Sequence, residues 1–214
     1  MFTPALSDRL LLAYATLVYR EQFDELLPLH DELAALALDL RAKSAGAAKS
    51  NEGGWHSEGN LFDRNEPCLQ QVAQKCQAAI QYVTSVSAQT QDKQVEMTAS
   101  LFGWLNVNEH GDYNLPHLHS GNTWSGVYYV HCGSAVGERP SSGQIEFMDP
   151  RVRCDVGPKN GFSHSGAMAV TPRDGMMLVF PSYLEHFVHP YFGEGPRITL
   201  AFNSLVQSMR VVSD

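Results

Sequence analysis

The chain has 214 residues, 43% hydrophobic and 18% charged, with 15 Lys and Arg against 23 Asp and Glu for a formal net charge of −8. This composition is typical of a globular domain that can bury a core without disulfides or structural metals, and the acidic balance argues against a nucleic-acid partner. No apolar stretch reaches the ~20 residues of a membrane span, and residues 1–8 do not resemble a signal peptide. We therefore expect a cytoplasmic protein without a membrane or nucleic-acid partner.

The first ninety residues are predicted to be largely helical. Residues 28–43 carry a helical apolar stripe opened by a proline, and residues 67–86 carry a second one. The apolar segment 10–19 is compatible with either strand or helix, and residues 44–60 are polar and contain glycine. Residues 1–93 are therefore predicted to form a helical N-terminal cover.

After residue 94, short apolar or alternating runs are separated by Gly, Pro and Asn, as in strands joined by turns. Short strands without a helical pattern between them favour a sandwich or barrel over a parallel sheet with crossover helices. We therefore predict a mainly β, α+β fold in which the helices cover one face of the β unit, all within a single domain over residues 1–214. The strands are predicted near residues 95–108, 124–131, 143–148, 167–171, 175–181, 185–190 and 196–206.

The four cysteines are not spaced as ligands of a zinc site. No two of them form Cys-x-x-Cys, so neither a zinc knuckle nor a dithiol redox motif fits. In the reducing compartment expected here, free and mostly buried thiols are the simplest interpretation. The four positions are Cys68, Cys76, Cys132 and Cys154.

Three histidines are candidates for metal binding. His117 and His119 form an H-x-H pair, and on an extended segment residues two apart project from the same face, so both imidazoles can bind one ion. The pair alone is a weak signal. A strand that ends at Pro181 is followed five residues later by His186, which adds a distal histidine to the pattern.

Arg197 lies in an otherwise apolar predicted strand. By the two-residue period, Arg197, Thr199 and Asn203 share one face of that strand. A buried arginine is costly unless it meets an anion, and a planar guanidinium with a hydroxyl two residues away can bind a carboxylate through two hydrogen bonds. The strand therefore predicts a carboxylate site.

The order H-x-H, distal His, then Arg-x-Thr closely resembles the dioxygenases of the double-stranded β-helix, or jelly-roll, fold that use Fe(II) and 2-oxoglutarate. More narrowly, the chain resembles the family named "putative 2OG-Fe(II) oxygenase" over roughly residues 15 to 207. The segments that carry this resemblance are NEGGWHS at 51–57, SGVYYV at 125–130, FMDPR at 147–151 and FPS at 180–182.

The resemblance implies that His117 and His186 bind iron. His119 falls where the superfamily usually has an aspartate or glutamate, and we expect it to be the third ligand. Three neutral histidines leave a ferrous site at net charge +2 instead of +1, which should favour a dianionic cosubstrate.

The resemblance also implies a jelly-roll catalytic core over residues 94–207 and 2-oxoglutarate as cosubstrate. Arg197 would bind its distal carboxylate, assisted by Thr199 and Tyr129. Molecular oxygen would be consumed, succinate and CO2 released, and a small-molecule or peptide substrate hydroxylated, with no catalytic side chain beyond the metal ligands. Loops around residues 133–142 and 153–166 are expected to set the choice of substrate. The sequence does not determine the oligomeric state, and a homodimer is compatible with it.

Two other functions are compatible with the pattern. Gly111 ahead of the H-x-H pair, and Gly175 and Pro181 ahead of His186, partly resemble the two cupin motifs, and three-histidine iron cupins oxidise substrates without 2-oxoglutarate. The cupin glutamate is missing, however, and a cupin does not need Arg197. The second of these functions is that of a metal- or ligand-binding module without turnover.

The remaining histidines and one aspartate carry weaker expectations. His189 is out of phase with His186 and should face away from the site. His131 could line the cavity or lie at the surface, and His56 could lie near the pocket mouth. Asp149 is a reserve carboxylate ligand should His119 not bind.

Overall fold

The computed structural model describes residues 15–90, 92–135, 139–150 and 167–212. Residues 10–14 of the predicted segment 10–19 lie outside these residues, and so does the loop at 153–166. No helix in the described ranges is long and apolar enough to cross a membrane.

The two predicted helices are present. Helix α1 spans His30–Lys43 and follows a 3-10 turn, Asp24–Leu29, that contains the proline. Helix α2 spans Pro67–Ser87, and its proline occupies the first turn, where a missing N–H costs nothing. The α-helix therefore begins two residues after Pro28, because the proline takes part in the tighter turn before it.

All seven predicted strands are present, and the described part of the chain contains six further short strands. The last predicted strand is longer than expected because it pairs along almost its whole length with the strand at 95–108. The strands are β1 Tyr19–Gln22, β2 Asn51–Glu52, β3 Trp55–His56, β4 Val95–Asn108, β5 Tyr113–His117, β6 Trp124–His131, β7 Ser134–Ala135, β8 Ile145–Met148, β9 Ala167–Val170, β10 Met176–Pro181, β11 His186–Val188, β12 Gly193–Glu194 and β13 Arg197–Val211.

Two large antiparallel sheets form the β unit, and β7 and β12 pair as a separate two-stranded sheet. The six-stranded sheet has the order β1-β10-β6-β13-β4-β3, and the five-stranded sheet has the order β2-β5-β11-β8-β9. From β4 onward the chain passes back and forth between the two sheets, which makes the fold a double-stranded β-helix. The predicted jelly roll is therefore confirmed.

The central strands β6 and β10 of the six-stranded sheet are buried on both faces. On β6, Tyr128 faces the helices and packs in the same cluster as Leu33 of α1, whereas Tyr129 faces the second sheet and packs with Phe147 of β8. Successive residues of a strand point to opposite faces, so one strand contributes to both layers. The helices thus cover one face of the sheet, as predicted, and the opposite face is left to form a cavity with the second sheet.

Candidate metal and cosubstrate site

A cavity of about 630 Å³ lies between the two sheets. We call its most enclosed part, lined by Tyr129, Arg197 and Thr199, the buried end, because each of these residues is at most 3% exposed. The mouth is the more exposed part of the lining. It is formed by Lys49, His56, Glu58, Phe102 and Leu118.

The three candidate ligands meet in this cavity because of strand register. His186, the first residue of β11, pairs directly with His117, the last residue of β5, and His119 follows two residues later. One nitrogen from each imidazole lies within 4.8 Å of the others. The ring centroids of His117 and His186 are 4.3 Å apart, and both rings lie within 5.3 Å of that of His119.

All three imidazoles are neutral at physiological pH. Burial lowers the pKa of His186 to about 3 and that of His119 to about 4, and repulsion from the neighbouring imidazoles contributes in both cases. Burial also lowers the pKa of His117. A neutral ring carries a lone pair on one of its two nitrogens, and such a nitrogen fits a divalent transition-metal ion.

Two of the rings have a fixed orientation. The Nδ1 atoms of His117 and His186 lie 2.6 Å and 2.9 Å from the carbonyl oxygens of Leu115 and Leu184. A carbonyl oxygen can only accept, so each Nδ1 carries the hydrogen and each Nε2 keeps its lone pair. This is the tautomer that binds a metal ion through Nε2.

No carboxylate completes the cluster among the described residues. Among the described residues, Glu58 at the mouth is the only acidic side chain that lines the cavity. The reserve ligand Asp149 does not line it, and neither does His189, which contacts Glu146 at 2.7 Å. His131 lies half exposed beside Asp174, so of the weaker candidates only His56 lines the cavity.

The buried end contains a cation whose hydrogen bonds are incomplete. Arg197 donates from Nη2 to the carbonyl of Gly143 at 3.3 Å, and its Nε has no partner. The guanidinium carbon lies 5.4 Å from the centroid of the Tyr129 ring. Gly143 has φ +64°, which favours glycine at the point where its carbonyl orients the arginine. A buried charge with an unpaired donor indicates that an anion belongs beside it.

Thr199 and its neighbour Asn106 extend the polar part of the buried end. The Thr199 hydroxyl accepts a hydrogen bond from the Asn106 amide at 3.3 Å, so its own hydrogen remains available to a ligand. The two residues lie opposite each other on β13 and β4. Asn106 was not predicted, although its position in the two-residue period of β4 could have indicated it.

An aromatic wall leads from the metal ligands to the mouth. The His56 ring stacks on Trp104 with a centroid distance of 5.2 Å and an interplanar angle of 13°. Trp104 also lies 5.7 Å from His119 and 6.2 Å from Phe102. Neither Trp104 nor Phe102 was predicted to line the site, because an aromatic residue on a strand is most often part of the core.

The family comparison is consistent with this geometry. Residues 103–203 match the family described as "Putative 2OG-Fe(II) oxygenase", which confirms the resemblance inferred from the motifs. The matched segment extends from β4 into β13 and includes the three histidines and Arg197. No curated protein matches the chain in sequence.

Solved structures share the fold at low sequence identity. A prolyl-4-hydroxylase from Pseudomonas putida is 18% identical, with 89% of this chain and 93% of that chain covered and a TM-score of 0.59. HygX from Streptomyces hygroscopicus, solved with nickel, 2-oxoglutarate and hygromycin B, is 14% identical over 90% and 83%, with a TM-score of 0.54. A prolyl hydroxylase from Trichoplax adhaerens, in complex with a hypoxia inducible factor peptide fragment, is 12% identical over 88% and 83%, with a TM-score of 0.51.

Proposed function

We propose that this protein, whose residues 103–203 match the "putative 2OG-Fe(II) oxygenase" family, is a non-haem dioxygenase that binds Fe(II) and 2-oxoglutarate and hydroxylates a substrate. One observation carries the proposal. A single cavity contains three neutral imidazoles within reach of one ion and a buried guanidinium with an unpaired Nε–H. Neither feature is explained by packing alone.

His117, His119 and His186 are the proposed metal ligands. Three protein ligands leave open positions on a six-coordinate ion, which a keto acid and oxygen both require. The carbonyls of Leu115 and Leu184 hold two of the rings in place. When bound, Fe(II) would supply oxygen activation, coupled to the decarboxylation of 2-oxoglutarate to succinate and CO2.

Arg197 is the proposed anchor of the distal carboxylate of 2-oxoglutarate. Its free Nε and one Nη can donate two parallel hydrogen bonds to a carboxylate, and the Thr199 hydroxyl can donate a third. Tyr129 lies beside the guanidinium and closes this end of the cavity. Around the buried end the described lining carries no acidic side chain, so a dianion meets no like charge there.

The protein's own part in the reaction would be to orient the reactants and exclude water. The three neutral histidines are the proposed metal ligands and the described lining of the buried end carries no carboxylate, so the proposal assigns no side chain as a general acid or base. The low exposure of Tyr129, Arg197 and Thr199 keeps water from the cosubstrate. Succinate and CO2 would leave through the mouth, where the lining is more exposed.

The mouth suggests a substrate that is partly apolar and partly charged. Lys49 and Glu58 bring opposite charges to the rim, and Phe102 and Leu118 are both more than 40% exposed beside them. A peptide and a small organic molecule both have this character. The similar structures include proteins solved with each kind of substrate, a peptide fragment in one and hygromycin B in another.

Anaerobic titration of the Fe(II)-loaded protein with 2-oxoglutarate tests the proposal. We expect the visible charge-transfer band of the chelate to appear and saturate, and to be absent when iron is omitted. Succinate release in air, stimulated by a substrate mixture, would then establish turnover. If iron binds but no band forms, the 2-oxoglutarate reaction is excluded and a cupin-type oxygenase becomes the better explanation. If the band forms but no succinate is released, the protein is a binding module.

A further inference from the structure

The three histidines differ in what their second ring nitrogen contacts. For His117 and His186 the partner is a main-chain carbonyl, which fixes the tautomer. For His119 the partner is a side chain: its Nδ1 lies 3.4 Å from Nδ2 of Asn203 on β13. A carboxamide presents either a donor or an acceptor after a half-turn, so the tautomer of His119 is not fixed in the same way.

Asn203 belongs to a closed set of polar groups. The Ser125 hydroxyl lies 2.8 Å from the Asn203 amide oxygen and 3.3 Å from the Ser182 hydroxyl. The main-chain N–H of His119 donates to the carbonyl of Ser182 at 3.0 Å, so the set returns to the histidine. Ser125 is 1% exposed and Ser182 is 2% exposed. Water is thus kept from the two hydroxyls, and the protein groups must satisfy one another.

In the arrangement present, the Asn203 N–H donates to Nδ1 of His119. That nitrogen must then hold the lone pair, so the hydrogen of the neutral ring lies on Nε2. Nδ1 is occupied by Asn203, so the nitrogen left for an ion is Nε2. In this tautomer His119 cannot bind a metal ion through Nε2.

A half-turn of the Asn203 amide gives the opposite arrangement. Its oxygen then accepts a hydrogen bond from Nδ1–H of His119, and its nitrogen donates to Ser125. The Ser125 hydroxyl hydrogen, released from the amide, can point to the Ser182 oxygen. Every group keeps a partner in both arrangements, so neither leaves a buried polar atom unsatisfied.

We propose that Asn203 is a positioning residue that couples metal binding to the tautomer of His119, donating to the ring in the metal-free protein and accepting from it when an ion is bound. The proposal rests on the histidine ligand set of the proposed function. As the ion binds, the Nε2 proton passes to solvent and Nδ1 takes one up, so the ring stays neutral and no net proton is released. His119 is the ligand at the position where a carboxylate is usual. Asn203 controls whether the Nε2 lone pair of His119 is available to the ion.

The tautomers can be read from long-range 1H–15N correlation spectra of the histidine rings. In metal-free protein we expect Nε2–H for His119 and Nδ1–H for His117 and His186. With Zn(II), a diamagnetic probe, we expect Nδ1–H for all three and zinc-bound Nε2 atoms. A His119 ring that is already Nδ1–H without metal, or that stays Nε2–H with it, overturns the proposal.

Substitution separates the hydrogen bond from the packing. Asn203→Leu keeps the branched shape of the side chain and removes both donor and acceptor, so the Zn(II) affinity should fall about 10- to 100-fold, the usual effect of losing an outer-shell partner. Asn203→Asp keeps the acceptor, so the affinity should return to at least the wild-type value. An Asn203→Leu protein that binds Zn(II) as the wild type does would contradict the proposal.

Asn114→Asp is the matched control for charge. Asn114 lines the same cavity and donates to Ser50 at 3.3 Å, without a contact to a histidine. If this variant strengthens Zn(II) binding as much as Asn203→Asp does, the added negative charge alone explains the affinity of Asn203→Asp, and the proposal fails. None of these readouts needs 2-oxoglutarate or turnover. Wild-type protein that binds no Zn(II) would overturn both the ligand set and this proposal, whereas binding without a tautomer change would overturn this proposal alone.

Discussion

The two ends of the cavity are built from different parts of the chain. The buried end is formed by neighbouring strands of the six-stranded sheet, and its polar side chains point inward from β4, β6 and β13. The mouth takes Lys49, His56 and Glu58 from the segment between the two helices, and Phe102 and Leu118 from the β unit. The six-stranded sheet thus borders the proposed cosubstrate, whereas the segment between the helices contributes three of the five residues that border the proposed substrate.

The two ends of the cavity differ in how strictly they specify the ligand that binds there. At the buried end, an unpaired donor such as Arg197 Nε costs free energy unless the correct anion is present, so one ligand chemistry is specified. At the mouth, Lys49 and Glu58 are exposed to solvent, and charges of this kind contribute little individually. Substrate choice can therefore change in the connecting segment without altering the cosubstrate site.

Removing a ligand should have the largest effect. We expect His186→Ala to abolish binding of Fe(II) and, with it, the 2-oxoglutarate band, because His186 is buried beside the other two imidazoles and, among the described residues, the only acidic side chain that lines the cavity is Glu58 at the mouth. Metal content by atomic emission and anaerobic titration measure both. His189→Ala, three residues along the chain and directed at Glu146, is the control and should retain the metal. Full metal occupancy in His186→Ala would exclude the proposed ligand set.

Arg197→Leu should weaken 2-oxoglutarate binding by about 2–5 kcal/mol, the range for truncating one partner of a buried, hydrogen-bonded charge pair. Metal binding should be retained, so the comparison is made on iron-loaded protein by titration of the band. Arg210→Ala, on the same strand but exposed and paired with Glu96, should bind 2-oxoglutarate as the wild type does. Equal weakening in both variants would mean that Arg197 does not contact the cosubstrate.

The metal-free protein should lose stability as the pH falls below neutrality. The pKa values of His119 and His186 are about 4 and about 3 in the folded state against 6.5 for an exposed ring, so the unfolded chain takes up protons first. Their contribution is complete above pH 6.5 and is lost progressively as the pH falls towards these folded pKa values. Urea unfolding between about pH 7.5 and about pH 5 measures the slope before most carboxylates titrate. His186→Leu should flatten it, and an unchanged slope would show that burial of this ring is not its source.

Changes at the mouth should have the smallest effect on the cosubstrate. Phe102 is 45% exposed, and Phe102→Ala should change 2-oxoglutarate binding by less than about 0.5 kcal/mol, as for other surface positions. Succinate release stimulated by substrate should fall, because the aromatic wall is shortened. Tyr82→Ala, an exposed aromatic on α2 outside the cavity, should change neither quantity. A large loss of 2-oxoglutarate affinity in Phe102→Ala would remove the functional distinction between the two ends.

Strands with a clear two-residue period were predictable, and strands held by neighbours were not. β4 and β6 carry enough apolar and β-branched residues to identify them directly. β5, by contrast, contains Asn114 and Pro116 and is a strand because β2 and β11 pair with it on either side. The two-residue strands β2 and β3 have no local signal and exist only through their partners.

The features of the candidate site can also be separated into those that the sequence predicts and those that depend on packing. Spacing brought His117 and His119 together, and period-2 alternation placed Arg197, Thr199 and Asn203 on one face. That His186 meets the pair depends on the register of β11 against β5, which sequence spacing does not contain. The contact between Asn203 and His119 joins residues 84 positions apart and depends equally on the packing of the two sheets.

By itself, the sequence determined the residue types, their periodicity and the order of motifs, because these depend on local geometry and on the chemistry of each side chain. It thereby indicated a jelly roll, a histidine cluster and an anion-binding arginine. Which polar side chains are shielded from water depends on the tertiary structure. Burial lowers the pKa values of the histidines, leaves Arg197 Nε without a partner, and exposes the mouth while closing the opposite end. These properties arise from desolvation by residues far apart in the chain, and only the packed sheets bring those residues together.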